Sequence, residues 1–169
     1  MDLAPEENPN FKENPDIERV KEFQVRKLKR EFEIPGMGEC IGVVIHHPAT
    51  KTAYAGHYVD LETKNPLEMI EDAKRDYGTL GETQTYAILV GGGYNLDSSS
   101  DEEEREVVIK RRELLIKLLT DNGISRDRIR DYWNSDNCYA SFRFNPTNGV
   151  NHLKVAKLET DEVVFDGSL

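Results

Sequence analysis

Short apolar runs separated by turn residues make up most of the chain, and this pattern is typical of strands. Residues 41–47 form a β-branched, apolar run, and a turn at 48–51 separates it from a second run at 52–59. Together they predict an antiparallel hairpin joined by a four-residue turn. Further strands are predicted at 85–90, 129–133, 139–144 and 150–158.

Two longer segments have the apolar spacing of amphipathic helices. Asn65 caps the first predicted helix, which has Pro66 at its first position and ends at Gly78. Ser100 and Glu103 form a capping box for the second, longer helix. Strands interrupted by two helices predict an α+β fold, a single-domain α/β sandwich with mostly antiparallel sheets.

The N-terminal region differs from the rest of the chain in composition. Residues 1–15 are rich in Pro, Asn and Glu with almost nothing to bury, so they predict a flexible arm. Residues 16–169 are expected to form one domain. Within it, the pattern before the break at Pro35 and Gly36 fits both a short helix and strands.

The charge balance excludes an extended nucleic-acid surface, because the net charge is −10 and the basic run at 26–30 is short. That run is expected to be a solvated face or a lysine-guarded edge strand. No segment approaches the roughly 20 apolar residues that span a bilayer, and residues 1–7 lack signal-peptide features. We expect a cytoplasmic protein without membrane partners, while secretion by another route stays open.

Metal ligands do not cluster along the sequence. His46 and His47 are adjacent, but Cys40 and Cys138 lie far apart, and His152 is expected on a surface strand. Because metal binding needs a group of ligands, we expect neither a metal nor a cofactor. Cys138 is expected to be structural, and two cysteines do not make a disulfide scaffold.

The spacing of Cys40 and His57 carries the functional prediction. In the predicted hairpin Cys40 lies opposite Val59, so His57 is its diagonal neighbour on the same face. Such neighbours have Cβ atoms about 5–8 Å apart, which allows a thiol–imidazole contact. His46 shares this face but lies roughly 20 Å along the strand, and His47 points to the opposite face.

A cysteine beside a histidine suits nucleophilic catalysis. The imidazole is expected to lower the thiol pKa from about 8.5 and so to favour the thiolate of Cys40. Cys40 would attack a carboxamide carbon, and His57 would act as general base and acid. The backbone at Gly38, Glu39 and Cys40 would stabilise the oxyanion. The residues therefore predict a cysteine amidohydrolase.

The same residues resemble a known superfamily. Gly36-Met37-Gly38-Glu39-Cys40 resembles the G-x-G-x-C segment of the chemoreceptor glutamine deamidase (CheD) family, and His57 follows Cys40 by the same 17 positions. Val90-Gly91-Gly92 resembles its Gly-Gly strand end. Protein N-terminal asparagine amidohydrolase is similar at the same places, and the group includes the deamidating domain of cytotoxic necrotising factor. The resemblance implies a Gln or Asn deamidase of proteins or peptides, with Gly91 and Gly92 lining the site.

One departure from the family concerns the residue that orients the imidazole. The family threonine six positions before the cysteine is Ile34 here. Glu33 or a main-chain carbonyl is the candidate replacement, and Glu39 is expected to point to the other face. The missing hydroxyl favours an alternative, a non-catalytic protein-binding module that retains the fold. A virulence-type deamidase acting on a host protein is a third hypothesis.

Overall fold

The computed structural model describes residues 16–93, 101–135 and 137–169. The predicted arm over 1–15 and the capping residue Ser100 lie outside the described residues. In chain order the described elements are β1 (Glu18–Arg19), β2 (Val25–Leu28), β3 (Phe32–Met37), β4 (Ile41–His47), β5 (Thr52–Tyr58), α1 (Leu67–Tyr77), β6 (Tyr86–Gly91), α2 (Asp101–Asp121), β7 (Ile129–Trp133), β8 (Cys138–Phe144), β9 (Asn151–Lys157) and β10 (Val163–Gly167). A short 3₁₀ turn, Arg126–Arg128, precedes β7.

The strands form two five-stranded sheets, which confirms the predicted α+β sandwich. Sheet A has the order β1-β3-β8-β9-β10, and sheet B has the order β2-β5-β4-β6-β7. Neighbours are antiparallel except for the pairs β1–β3 and β6–β7. Because β1 belongs to sheet A and β2 to sheet B, residues 20–24 cross from one sheet to the other.

Two apolar cores hold the sheets and helices together. One core lies between the sheets and includes Ile34 and Phe142 of sheet A with Val44 and Ile88 of sheet B. The other core packs both helices on the opposite face of sheet B, where Ile45 meets the helix residues. Strand β4 is buried over its whole length, because alternate residues enter different cores.

The predicted start and end of helix α1 are present, and its first residue is shifted by one position. Asn65 Oδ1 accepts a hydrogen bond from the N–H of Leu67 at 2.9 Å, and helix α1 ends at Gly78. Pro66 lies just before the first helical residue instead of at it. Strand bounds differ from the sequence prediction by one residue at most, except in two regions.

The first region is 16–37, where the ambiguous pattern resolves into strands and no helix is present. The break predicted at Pro35 and Gly36 is wrong, because β3 continues through both residues with a register shift against β8 between Ile34 and Met37. The basic run lies on β2, an edge strand of sheet B with Arg26 and Lys27 exposed, as one of the two expectations had it. The second region is the C-terminus, where β10 follows the strand expected to be last. Its apolar residues Val163, Val164 and Phe165 are each more than 40% exposed, so no burial pattern reveals it.

Candidate active site

The register of the β4–β5 hairpin is the one that the sequence predicts. Gly42 pairs with His57 and Ile41 with Tyr58, and the connecting turn occupies residues 48–51. Continuing this register by one pair brings Cys40 opposite Val59. His57 is therefore the diagonal neighbour of Cys40, as predicted.

Both side chains lie on the face of sheet B that packs against sheet A. Ala53 and Ala55 enter the core between the sheets, and His57 has the same parity on β5. Cys40 packs against that same core at its margin. The thiol is half-buried and the imidazole is only 2% exposed.

A third residue, Glu22, completes the group. A carboxylate oxygen of Glu22, Sγ of Cys40 and a ring nitrogen of His57 all lie within 4.8 Å of one another. Glu22 is exposed, Cys40 is intermediate and His57 is buried, so the group reaches from the surface into the core margin. We call these three residues the Glu22–Cys40–His57 cluster.

The segment that crosses between the sheets positions Glu22. Its backbone continues the hydrogen bonding of the hairpin, because Phe23 N–H donates to the His57 carbonyl and His57 N–H donates to the Gln24 carbonyl, at 2.9 and 3.0 Å. Phe23 has a φ of 63°, which is unusual for a bulky residue. The left-handed turn is the point at which the chain leaves sheet A for β2, and Glu22 immediately precedes it.

The same segment fixes the imidazole of His57. Nδ1 lies 3.2 Å from the Val20 carbonyl oxygen. Because a carbonyl only accepts, Nδ1 carries the proton and Nε2 has a free lone pair. Nε2 is buried and has no hydrogen-bond partner among the described residues. It is therefore the ring nitrogen available to a proton from the Cys40 thiol.

Of the two candidates for the orienting group, the main-chain carbonyl contacts the ring. The side chain of Glu33 is 1% exposed and accepts a hydrogen bond from Arg19 Nε at 3.3 Å. The Glu33 carbonyl accepts a hydrogen bond from Val20 N–H at 2.9 Å. Glu33 thus supports the residue that orients His57, and the ring itself bonds to Val20.

The electrostatics of the thiol differ from the sequence expectation. Burial raises the pKa of Cys40 to about 11, and the carboxylates of Glu22 and Glu39 add to the rise, while the Cys40 backbone N–H opposes it. Burial lowers the pKa of His57 against opposing effects of Val20 and Glu22. The expected lowering of the thiol pKa is therefore wrong for the free protein. A neutral thiol faces a neutral imidazole at neutral pH.

The predicted glycine segment holds the turn that carries Cys40. Gly92 N–H donates to the Cys40 carbonyl at 2.8 Å, and Gly93 N–H donates to the Gly38 carbonyl at 2.9 Å. Gly91 has a φ of 85°, and a Cβ at this position would collide with the Cys40 carbonyl oxygen. Since N–H and C=O of a trans peptide point in opposite directions, the N–H of Glu39 points away from Gly93.

Two further residues that the sequence did not single out brace this turn. The side-chain amide of Asn134 is buried and donates to the Met37 carbonyl at 2.8 Å. Arg112 of α2 donates to the Gly92 carbonyl at 2.6 and 3.0 Å. Neither residue has a local sequence signal, because each acts on a backbone segment far away in the chain.

The remaining sequence candidates lie outside the cluster. Nε2 of His46 is 2.8 Å from the Pro146 carbonyl oxygen, and the ring of His47 stacks on a tyrosine. His152 is on strand β9 and pairs with Asp166 at the surface. Cys138 is buried, and both cysteines are free.

Comparisons with known proteins add no assignment. The chain matches no protein family model, and no curated protein is similar to it. Within the described part of the chain, no helix is long and apolar enough to cross a membrane.

Proposed function

We propose that this chain is a cysteine-dependent amidohydrolase that converts a Gln or Asn carboxamide of a protein or peptide to the acid and releases ammonia. The observation that carries the proposal is the approach of Cys40 to an imidazole whose Nε2 is buried and free. The carboxamide substrate rests on the resemblance of 36–40 and 90–92 to CheD-type deamidases.

Nucleophilic attack begins from the neutral pair. As Sγ of Cys40 bonds to the carboxamide carbon, the thiol proton passes to Nε2 of His57 and the carbonyl electron pair moves onto oxygen. A thiol with a raised pKa needs this general base, because little thiolate is present beforehand. We assign the backbone N–H groups of Glu39 and Cys40 as the donors that stabilise the developing oxyanion.

Ammonia release and hydrolysis complete the cycle. The oxyanion collapses, the C–N bond breaks, and Nε2–H gives its proton to the leaving nitrogen. Water then attacks the thioester, Nε2 takes a proton from it, and the sulfur leaves and regains that proton. The product is the carboxylic acid, and Cys40 and His57 return to their neutral forms.

Glu22 acts on the charged state that forms during each transfer. Its carboxylate stabilises the imidazolium of His57, which is why it raises the pKa of that ring. The Val20 carbonyl keeps Nδ1–H in place, so the ring does not need to reorient between steps. The Glu22 carboxylate and the Val20 carbonyl oxygen thus both stabilise positive charge on His57.

The surface around the cluster favours a macromolecular substrate. Two depressions of the described surface have volumes of about 460 and 170 Å³, and neither is lined by a cluster residue. A free small amide needs an enclosing pocket to gain affinity. A peptide or protein instead gains affinity from contacts beyond the reacting group.

The test is ammonia release from a peptide panel in which Gln or Asn is either internal or N-terminal, measured with the wild type and Cys40→Ala. Amide-to-acid conversion by the wild type, with none by Cys40→Ala, is the expected result. Cys138→Ser is the matched control and should retain activity, because Cys138 packs in the core outside the cluster. Equal conversion by Cys40→Ala would refute the proposal.

The second candidate, a non-catalytic binding module, is favoured by the raised pKa of Cys40. The two functions separate in a substrate-independent assay, acylation by the activated ester p-nitrophenyl acetate followed by intact-mass analysis. A nucleophilic thiol assisted by His57 releases p-nitrophenolate faster than Cys40→Ala does, and Cys40 carries the acetyl group until water hydrolyses the thioester. A folded wild type that releases no more p-nitrophenolate than Cys40→Ala and carries no acetyl group would favour the binding module.

A further inference from the structure

The fold brings together three metal-ligand types that the sequence separates. Thiol, imidazole and carboxylate meet in the Glu22–Cys40–His57 cluster, with the ligand atoms within 4.8 Å of one another. The expectation of no metal site was based on spacing along the chain. It did not anticipate the segment that crosses between the sheets and carries Glu22 to the hairpin.

The dimensions of the cluster suit a small divalent ion. Zinc bonds of about 2.0–2.3 Å in a tetrahedral arrangement place ligand atoms about 3.4–3.6 Å apart. Given the bound of 4.8 Å, each pair of ligand atoms needs to approach by no more than about 1.4 Å. Glu22 is exposed, and rotation about its side-chain bonds supplies the movement of its carboxylate towards the other two ligand atoms. Three protein ligands leave a fourth position open.

The imidazole is arranged as a metal-ligating histidine usually is. Its Nδ1–H donates to the Val20 carbonyl, which fixes the tautomer and the ring orientation. His57 is only 2% exposed, and its buried Nε2 has no hydrogen-bond partner within the part of the chain that the structure describes. A buried ring nitrogen with an unused lone pair gains a bond when a cation enters the cluster.

The local field also favours a cation. The charged groups that act on the Cys40 thiol are the carboxylates of Glu22 and Glu39, and both oppose additional negative charge there. A divalent ion reverses this effect, since it is attracted by both carboxylates and by the thiolate it stabilises. The soft sulfur and the imidazole nitrogen select Zn²⁺ over hard cations such as Mg²⁺ or Ca²⁺.

We propose that Glu22, Cys40 and His57 bind one Zn²⁺ ion, and that the bound ion blocks Cys40 as a nucleophile. Binding itself does not depend on the proposed reaction, whereas the block rests on it. Metal and carboxamide then compete for the same sulfur, and zinc availability sets the fraction of active protein.

The experiment is titration of the untagged full-length chain with Co²⁺, a spectroscopic substitute for zinc, followed by displacement with Zn²⁺. One equivalent of Co²⁺ should give a thiolate-to-metal charge-transfer band that Zn²⁺ abolishes and Mg²⁺ does not. The band should be absent in Cys40→Ser. Glu22→Gln should weaken binding at least about tenfold, a loss found even for second-shell partners.

Matched controls separate this site from other ligands on the chain. Cys138→Ser removes the other thiol and His152→Gln removes a surface imidazole, and each should retain the band. Glu39→Gln removes a carboxylate that attracts the ion without ligating it, so it should retain the band and weaken Co²⁺ binding less than Glu22→Gln does. A band that persists in Cys40→Ser, or absence of any one-equivalent binding by the folded wild type, would overturn the proposal.

The two proposals fail separately. If the metal-free wild type is acylated at Cys40 but binds no Co²⁺, the zinc site is refuted and the proposed amidohydrolase function is unaffected. If the charge-transfer band forms but no acylation occurs, the metal site stands without the reaction. If both hold, one equivalent of Zn²⁺ should abolish acylation and a chelator should restore it.

Discussion

Glu22 has opposite effects on the two members of the dyad. It raises the pKa of the Cys40 thiol and so disfavours thiolate, yet it also raises the pKa of His57 and so favours imidazolium. These effects oppose each other in the thiolate–imidazolium pair. Glu22 therefore keeps the free Cys40 thiol protonated. It also stabilises the imidazolium of His57 once the proton has moved to the ring.

Removal of this carboxylate should make the free thiol more reactive. In buffer containing a chelator, the alkylation rate of wild-type Cys40 should rise with pH towards a pKa of about 11. Glu22→Gln should lower that pKa and speed alkylation near neutral pH, and Glu39→Gln should do so less. Measurement of iodoacetamide rates against pH checks this, and an unchanged profile in Glu22→Gln would contradict it.

Gly91 and Gly78 offer a matched pair for the close approach at Cys40. Both have left-handed backbones, with φ of 85° and 79°. A Cβ at Gly78 meets nothing within 4 Å, whereas a Cβ at Gly91 collides with the Cys40 carbonyl. Gly78→Ala should cost about 1–3 kcal/mol from backbone strain alone, because a φ of 79° with a ψ of −154° is a conformation that essentially only glycine adopts. Gly91→Ala should cost more and slow acylation of Cys40.

Urea unfolding and the acylation rate check this pair together. Equal losses of stability in the two variants, with acylation unaffected in Gly91→Ala, would show that the glycine segment does not hold the Cys40 turn.

At the scale of elements, the hairpin was predictable and its surroundings were not. The Cys40–His57 relation follows from strand periodicity and the length of one turn, both of which are local. Glu22, Val20 and Asn134 reach the site through the crossing segment and a distant loop. Their contacts depend on how two sheets pack, and no local pattern encodes this.

Asn134 should act as a positioning residue for the Cys40 turn. Its buried amide holds the Met37 carbonyl, so Asn134→Ala should cost about 1–3 kcal/mol and slow acylation. Asn122→Ala is the matched control, because that amide bonds to the Leu118 carbonyl at the end of α2. The control should lose stability without loss of acylation; equal acylation in both variants would exclude a positioning role for Asn134.

The whole molecule should lose stability in mild acid. Burial lowers the pKa of His46, His47 and His57 below 6.5, so the unfolded chain takes up protons that the folded chain excludes. Their contribution is present in full above pH 6.5 and is lost progressively as the pH falls from that value through the lowered pKa of each histidine in the folded state. Each fully excluded proton removes about 1.4 kcal/mol per pH unit.

Urea unfolding one unit above and one unit below pH 6.5 measures this loss. His46→Gln should flatten the slope, since glutamine can still donate to the Pro146 carbonyl but does not titrate in this range. A free energy of unfolding that is constant across the window would contradict the buried, neutral histidines.

Most of the architecture could be predicted from the sequence, but not every strand at the edges of the sheets. The bounds of β4 and β7 match the prediction to the residue, although only β4 is buried over its whole length. The exposed edge strand β10 was missed, although Val163, Val164 and Phe165 form a short apolar run in the sequence. The pKa of Cys40 was also beyond the sequence, because the depth of burial and the position of Glu22 decide it.

The most direct test of the central claim is the rate of Cys40 acylation by p-nitrophenyl acetate, in chelator, in the wild type and in His57→Gln. General-base assistance predicts that the wild type is acylated near neutral pH, far below the thiol pKa of about 11, and that His57→Gln is acylated only as the thiolate forms at high pH. Equal rates in the two proteins at neutral pH would contradict a working Cys40–His57 pair.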